Sequence, residues 1–479
     1  MSCCGNLANI GLQIALPDTA SYNSTLAAYW SIQEASLAPA CIATPQHAQD
    51  VAEIITALTT QGSCSGEAFA IKSHGHSPAA GFANIGSSGL TIDLTSLSSI
   101  TYDHDSTIAS VGSGASWVDV YAALDPYGKS VAGGRNGAVG VGGLTLGGGI
   151  SYFSPQVGFT CDTVVNFELV LASGKLVNAN ASSNADLFKV LKGGGNNFGV
   201  VTRSDFQTVD IGQIMAAAIT HPSSSDSRKA VWQAFANLAN APTYDVHASL
   251  VTGLIFNATA RQWVLSSTAI YTLPELSPPA YDELFSAPNI TSKRQLVDLH
   301  TFSNESATPP LNWLFRTGTY GASAALLEQF FDIYNQTLFD FQPAGTMLWS
   351  ISFEPLPSVF TERGAGQNVL GTSGSDGDGM IVLLSALWTS SAESSAIQAK
   401  ADDVLGQMNA AAESGGFSKQ YVYANYAGAA QKPYQSYGRD NERLLYQASR
   451  KYDPHGVFQQ RVPGGFKLST QHGHYGYPA

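Results

Sequence analysis

Glycine most limits what this chain can fold into, because its 47 glycines are clustered rather than spread. Gly75 sits in a short turn, Gly140, Gly142, Gly143, Gly147, Gly148 and Gly149 share one stretch, and Gly193-Gly194-Gly195-Asn196-Asn197-Phe198-Gly199 forms another. Backbone without Cβ allows left-handed conformations and close approach of a second group. Runs of exposed amide N–H groups form concavities that bind anions such as pyrophosphate. Three such segments are expected to converge on one large, phosphate-bearing ligand; the alternative is three tight turns in an irregular β-rich fold. The pattern is not a Rossmann fingerprint. Val139-Gly140-Val141-Gly142-Gly143-Leu144 has one Gly-x-Gly step, lacks the third glycine at the required place, and has no acidic strand end about twenty residues on in a clear βαβ unit. No Gly-Lys-Ser/Thr follows, so it is not a Walker loop either.

Around these clusters the first half reads as short strands at 68–72, 90–94 and 108–112, helices at 44–60 and 116–124, and a strand pair at 164–170 and 175–177. Thr44 and Pro45 are the expected start of the first helix. Residues 133–149 read as one long loop. The character changes near residue 211: strands at 248–255, 262–271, 347–353 and 380–388 alternate with helices at 228–239, 323–338 and 392–412. An amphipathic helix at 441–451 ends at Asp453-Pro454-His455-Gly456. The expected class is α+β, with an antiparallel sheet backed by helices in the second lobe.

Only 12% of the 479 residues are Asp, Glu, Lys or Arg, against a typical ~25%. A net charge of -13 without a basic stripe argues against nucleic-acid binding. No run of 18 apolar residues suggests a membrane span. Of five cysteines, Cys3, Cys4, Cys41 and Cys64 lie near the start, suiting one or two bridges with Cys64 joined to Cys3 or Cys4; Cys161 is left as a buried small hydrophobe. No Cys/His spacing suggests a metal. Asn-x-Ser/Thr sites at Asn23, Asn180, Asn257, Asn289, Asn304 and Asn335, with the low charge, lean towards a secreted chain whose leader has been replaced by Met1. The alternative is a cytosolic protein with unused sites.

Several motifs carry a family resemblance. Ile71-Lys72-Ser73-His74-Gly75-His76-Ser77-Pro78 resembles the Arg-Ser-Gly-Gly-His-Ser/Asp motif of flavin oxidoreductases of the vanillyl-alcohol oxidase / p-cresol methylhydroxylase superfamily. Residues 139–150, 158–165 and 192–202 resemble its later motifs. Asn425-Tyr426, Tyr437-Gly438-Arg439-Asp440-Asn441 and residues 452–458 resemble the berberine bridge enzyme-like C-terminus, fungal in type. The resemblance implies a two-lobe fold: a PCMH-type FAD-binding domain over 1–210, a substrate-binding domain over 211–430, and a segment over 431–479 returning to the FAD lobe. It implies FAD contacts from Ser73, His74, Gly75, His76, Ser77, Pro78, Val139, Gly140, Gly142, Gly143, Leu144, Gly147, Gly148, Gly199, Val200, Val201 and Asn425. His76 falls where the family carries a covalent bond to the flavin, with His74, in place of a glycine, as the competitor. Asn136 stands where many relatives have a second attachment cysteine, so a single bond is expected.

Val139 falls at the family's oxygen gatekeeper and, being small, favours an oxidase. Leu144 and Ile150 stand where plant relatives carry a histidine and a tyrosine, so the base comes from elsewhere. Tyr426, Glu354 and Tyr152 are the candidates carried forward, with His300 and Tyr423 behind them. The expected reaction is hydride transfer from a small organic substrate to flavin, with O2 as the second substrate and H2O2 as product, in secondary metabolism. A carbohydrate oxidase, or a cyclase or binding protein using flavin as a scaffold, are the other readings. A monomer is expected.

Overall fold

A computed structural model describes residues 2–60, 62, 64–304, 311–345 and 347–468; the last part of the expected C-terminal segment, 469–479, lies outside them. Strands Cys41–Ala43, Gly89–Asp93 and Ala68–Lys72 pair in parallel, with Ile14–Ala15 antiparallel at the edge. Cys41–Ala43 and Gly89–Asp93 are buried throughout, Thr91 and Asp93 included, as expected of parallel strands covered on both faces. Helix Ala48–Thr59 packs Val51, Ile54, Ile55 and Leu58 against this sheet. It starts later than Thr44, because the Asp50 carboxylate accepts from the Gln46 and His47 backbone N–H groups at 2.7 and 3.2 Å and fixes the first turn there. Cys3 is bonded to Cys64 and Cys4 to Cys41, and Cys161 is free and buried.

A second sheet of five antiparallel strands runs in the order Ile100–Asp103, Ile108–Gly112, Val200–Gln207, Val164–Val170, Leu176–Asn180. Helices Trp117–Leu124 and Ala185–Leu191 cover it. Within the stretch read as one long loop, Val141–Leu146 is helical.

The third sheet has eight antiparallel strands between Ile214 and Lys419. Four of them, Ile214–His221, Thr291–Val297, Asn312–Tyr320 and Ser418–Lys419, are absent from the sequence reading. One face packs on helices Ser225–Ala239, Ala324–Leu338 and Ser394–Ser414 through Trp232, Phe330, Val404 and their neighbours. The opposite face, through Ile270, Leu356 and Ile381, joins the core of the first lobe. Helix Arg439–Tyr452 and the turn Val457–Gln460 return to the first lobe, where Asp453 accepts from Val457 and Phe458 N–H at 2.8 and 2.7 Å. No helix among the described residues is long and apolar enough to cross a membrane.

Candidate active site

Ser73 to Pro78 leave the carboxyl end of the parallel strand Ala68–Lys72, the end at which such sheets bind ligands. Lys72 beneath them pairs with Asp93 at 3.1 Å, both almost fully buried. Ser73 Oγ donates to the Ser113 carbonyl at 2.6 Å. His74 Nε2 lies 2.9 Å from the Gly114 carbonyl, which engages that ring nitrogen, and burial lowers its pKa. Gly75 is left-handed (φ 67°), and a Cβ there would stand 2.4 Å from the Tyr29 ring. His76 stacks on Trp30 with ring centroids 4.2 Å apart and planes 16° off parallel. Burial, with His74 nearby, pushes the His76 pKa down to about 4, so its imidazole is neutral at pH 7.

The glycine helix Val141–Leu146 forms the facing wall. Its glycines serve two purposes. A Cβ at Gly140 would lie 2.2 Å from Ser73 Oγ, and one at Gly147 would lie 1.9 Å from Asn425 Oδ1, so these two allow internal packing. A Cβ at Gly143 would meet nothing within 4 Å and would point into open space. Asn425 Nδ2 donates to the Leu144 carbonyl at 2.9 Å, fastening the chain after the eight-stranded sheet to this helix. The third glycine cluster is held by the C-terminal segment: Tyr434 donates to the Gly194 carbonyl, and Asn197 Nδ2 to the Phe466 carbonyl, at 2.9 and 3.0 Å.

The eight-stranded sheet supplies the roof. On Met347–Leu356 the odd positions Met347, Trp349, Ile351 and Phe353 face the helices. The period of two therefore sends Glu354 to the opposite face. On Asn312–Tyr320, Leu314 and Tyr320 face the helices while Trp313 and Phe315 reach the cavity. The register pairs Phe315 with Ser385 and Thr317 with Leu383, so Ser385 and Leu383 reach it too.

These walls enclose a cavity of about 550 Å³, within the range of ligand sites. Of the residues expected from the sequence, Ser73, His74, Gly75, His76, Ser77, Pro78, Val139, Gly140, Gly142, Gly143, Leu144, Gly147, Gly199, Val200, Val201, Asn425 and Tyr426 line it. Gly148 is buried behind it against Leu370. Tyr152 is buried against Phe302 outside the lining. His300 also lies off the cavity, paired with Asp125. Glu354 lies just behind Tyr426: the Tyr426 hydroxyl donates to Glu354 Oε1 at 3.0 Å.

Arg135 completes this group. Its Nη2 donates to Glu354 Oε1 at 2.9 Å and also to the Tyr426 hydroxyl. Arg135 and Glu354 expose only 14% and 7% of their side chains, so the pair is shielded from solvent. Burial alone would lower the Arg135 pKa, but Glu354 and Tyr426 hold it above its usual value. Burial holds the Tyr426 hydroxyl well above the usual tyrosine range, with Arg135 opposing and Glu354 adding to the rise. Arg135, Trp30, Trp313 and Phe315 are cavity residues that sequence reasoning missed.

The cavity fits FAD on two observations. Gly143 leaves unfilled space on the wall, and Ser113 Oγ, buried on the same wall, has no hydrogen-bond partner. Among the described residues no cluster of His, Cys, Asp and Glu could hold a metal.

This fold and site define a flavin-dependent oxidoreductase, and comparison with known proteins agrees. Residues 39–180 match the FAD binding domain family. The chain is 34% identical to the FAD-dependent monooxygenase drtC of Aspergillus calidoustus over 98% of this chain and 90% of the relative. It is also 34% identical to the FAD-dependent monooxygenase sdcF of Emericella nidulans, over 97% and 98%. Among solved structures, BBE-like 1 of Physcomitrella patens superposes with a TM-score of 0.79 at 18% identity, covering 96% of this chain and 98% of the other. Xylooligosaccharide oxidase from Myceliophthora thermophila C1 superposes with a TM-score of 0.78 at 20% identity, covering 97% and 100%. The chain belongs to the family of fungal FAD-dependent oxidoreductases that these two relatives represent, and it shares its fold with the berberine bridge enzyme-like structures.

Proposed function

We propose that the protein is an oxidase that removes a hydride and a proton from a small organic alcohol or phenol, with FAD attached covalently through His76 and O2 as the final acceptor. The observation that carries this reading is the buried Tyr426–Glu354–Arg135 group at the roof of a cavity whose opposite walls hold His76 and the glycine helix. Residues 1–210 and the described part of 431–479 hold the cofactor, and 211–430 face the substrate. When bound, FAD accepts the hydride and passes two electrons to dioxygen, giving hydrogen peroxide.

The chain's own part is orientation and proton transfer. A hydroxyl with so high a pKa does not act as a free base at neutral pH. It can act as a conduit: the substrate O–H proton passes to the Tyr426 oxygen while the tyrosine proton passes to Glu354 Oε1. Arg135 touches both acceptors and keeps positive charge beside the developing anion. Trp313, Phe315 and Tyr423 give the cavity aromatic walls that suit a flat, apolar substrate body. Tyr152, off the cavity, is left a supporting role near Arg135. The small side chain of Val139 beside the glycine helix favours access by O2.

A second reading draws on the relatives' name, FAD-dependent monooxygenase: one oxygen atom would enter the product. Turnover under ¹⁸O2 separates the two. Stoichiometric peroxide with unlabelled product supports the oxidase; labelled product overturns it. Acid precipitation tests the attachment: flavin should stay with the protein, and His76→Ala should release it. The sugar-oxidising structures share the fold alone.

Two disulfides and exposed Asn23, Asn289 and Asn304 support passage through an oxidising, glycosylating compartment. The Asn180 and Asn335 amides are instead engaged with Asn166 and Trp263.

A further inference from the structure

The stack of His76 on Trp30 belongs to no motif of the resemblance, and Trp30 precedes the segment 39–180 that matches the FAD binding domain. It is nevertheless built into the site from both sides. Its backbone N–H donates to the Gly75 carbonyl, next in sequence to His76. Its neighbour Tyr29 packs on Gly75 and donates to the Ala83 carbonyl at 2.8 Å. Trp30 also stacks on Trp313 of the roof, centroids 4.2 Å apart and 24° off parallel. The roof in turn grips the segment after Trp30: Ile32 N–H donates to the Leu311 carbonyl, and the Gln33 amide exchanges two hydrogen bonds with the Trp313 backbone, at 2.7 and 3.1 Å.

We infer that Trp30 is a positioning residue for cofactor attachment: its indole face fixes the plane of the His76 imidazole so that a ring nitrogen is presented to the cavity. This rests on the covalent reading above. Attachment joins an imidazole nitrogen of His76 to the 8-methyl carbon of the flavin ring. One C–H and the imidazole N–H are broken, and the two protons and two electrons released reduce dioxygen to hydrogen peroxide. The imidazole must meet the methyl carbon end-on, and a ring free to turn about its Cβ–Cγ bond spends most of its time misaligned. A stacked partner removes that freedom without occupying either nitrogen.

The test uses the full chain produced with little flavin, then given FAD and O2. Samples are divided between total bound flavin and flavin that remains with acid-precipitated protein. Wild type should convert its bound flavin to the acid-stable form. Trp30→Leu should bind a similar total but attach it about tenfold or more slowly, and Trp30→Phe, which keeps a smaller ring, should fall between. Attachment by Trp30→Leu at the wild-type rate overturns the inference, as does Trp30→Phe behaving like Trp30→Leu. Should Trp30→Leu not fold, Trp30→Phe attaching at the wild-type rate overturns it. Wild type that releases all its flavin in acid overturns the covalent reading itself, an outcome distinct from the others.

Discussion

Arg135 donates to both Glu354 and Tyr426, so altering one member of the group changes the charge seen by the other two. Tyr426→Phe removes the hydroxyl between substrate and carboxylate while leaving the Arg135–Glu354 pair. Turnover of the holoenzyme should fall by about 10²–10⁴ in kcat/KM, the usual worth of a positioned proton acceptor, with little loss of resistance to denaturant. Glu354→Gln should lose similar turnover and, by leaving a shielded guanidinium without its counter-charge, about 3–5 kcal/mol of stability. Tyr426→Phe turning over at the wild-type rate would remove the tyrosine from the proton path. Tyr426 and Glu354 were legible because one adjoins Asn425 in a motif and the other is the lone charge in its strand. Arg135 was not, because its meaning comes from a carboxylate 219 positions away, and no local pattern carries such a pairing.

Strands were legible where branched and apolar residues run together, as in Gly379–Trp388, and escaped where alanine or polar residues dilute them, as in Ile214–His221 and Thr291–Val297. Strand Gln262–Tyr271 was read to the residue. Asn312–Tyr320, with helices on one face and the cavity on the other, has no polar alternation and escaped, taking Trp313 and Phe315 with it. Helix Val141–Leu146 escaped because glycine disfavours helix, and only close packing against Ser73, Ser113 and Asn425 makes it form. The short helix Ile32–Ala35 carries an element-scale prediction. Its fully buried Glu34 accepts from Gly81 and Ala83 N–H at 3.1 and 2.7 Å and so holds the loop that brings Phe82 and Ala83 to the cavity. Burial pushes its pKa up to about 7 from 4.5, although the backbone donors oppose the rise. A carboxyl raised in the folded state stabilises fully below its unfolded pKa and loses that contribution as pH rises through the folded one. The stability difference between wild type and Glu34→Gln should therefore shift against wild type by ~3 kcal/mol from pH 4.5 to 7.5. Denaturant titrations at the two pH values read it, and a pH-independent difference would mean Glu34 does not titrate in this window.

At the scale of the whole molecule, the cavity is lined by two lobes and a returning C-terminal segment: His76 and the glycine helix from the first, Trp313, Phe315, Asn425 and Tyr426 from the second, Tyr434 and Phe466 from the returning segment. That convergence was legible from motif order, since the quoted motifs run from Ile71 to Phe458. The two disulfides act far from it. Cys3 and Cys4 lie in one helix, Cys3–Asn9, and tie it to Cys64 and Cys41, closing loops of 61 and 37 positions. By chain entropy each loop constrains the unfolded chain by about 4 kcal/mol. Because Cys3 and Cys4 are adjacent, the second bridge closes a chain the first has already shortened, so the two should add to less than their sum. None of the four cysteines lines the cavity. Cys4→Ser/Cys41→Ser should therefore lower stability by a few kcal/mol in denaturant while flavin content and its acid-stable fraction stay at wild-type levels. Loss of flavin in step with loss of the bridge would instead mean that the first lobe's parallel sheet, and with it the turn carrying His76, depends on the helix these bridges hold.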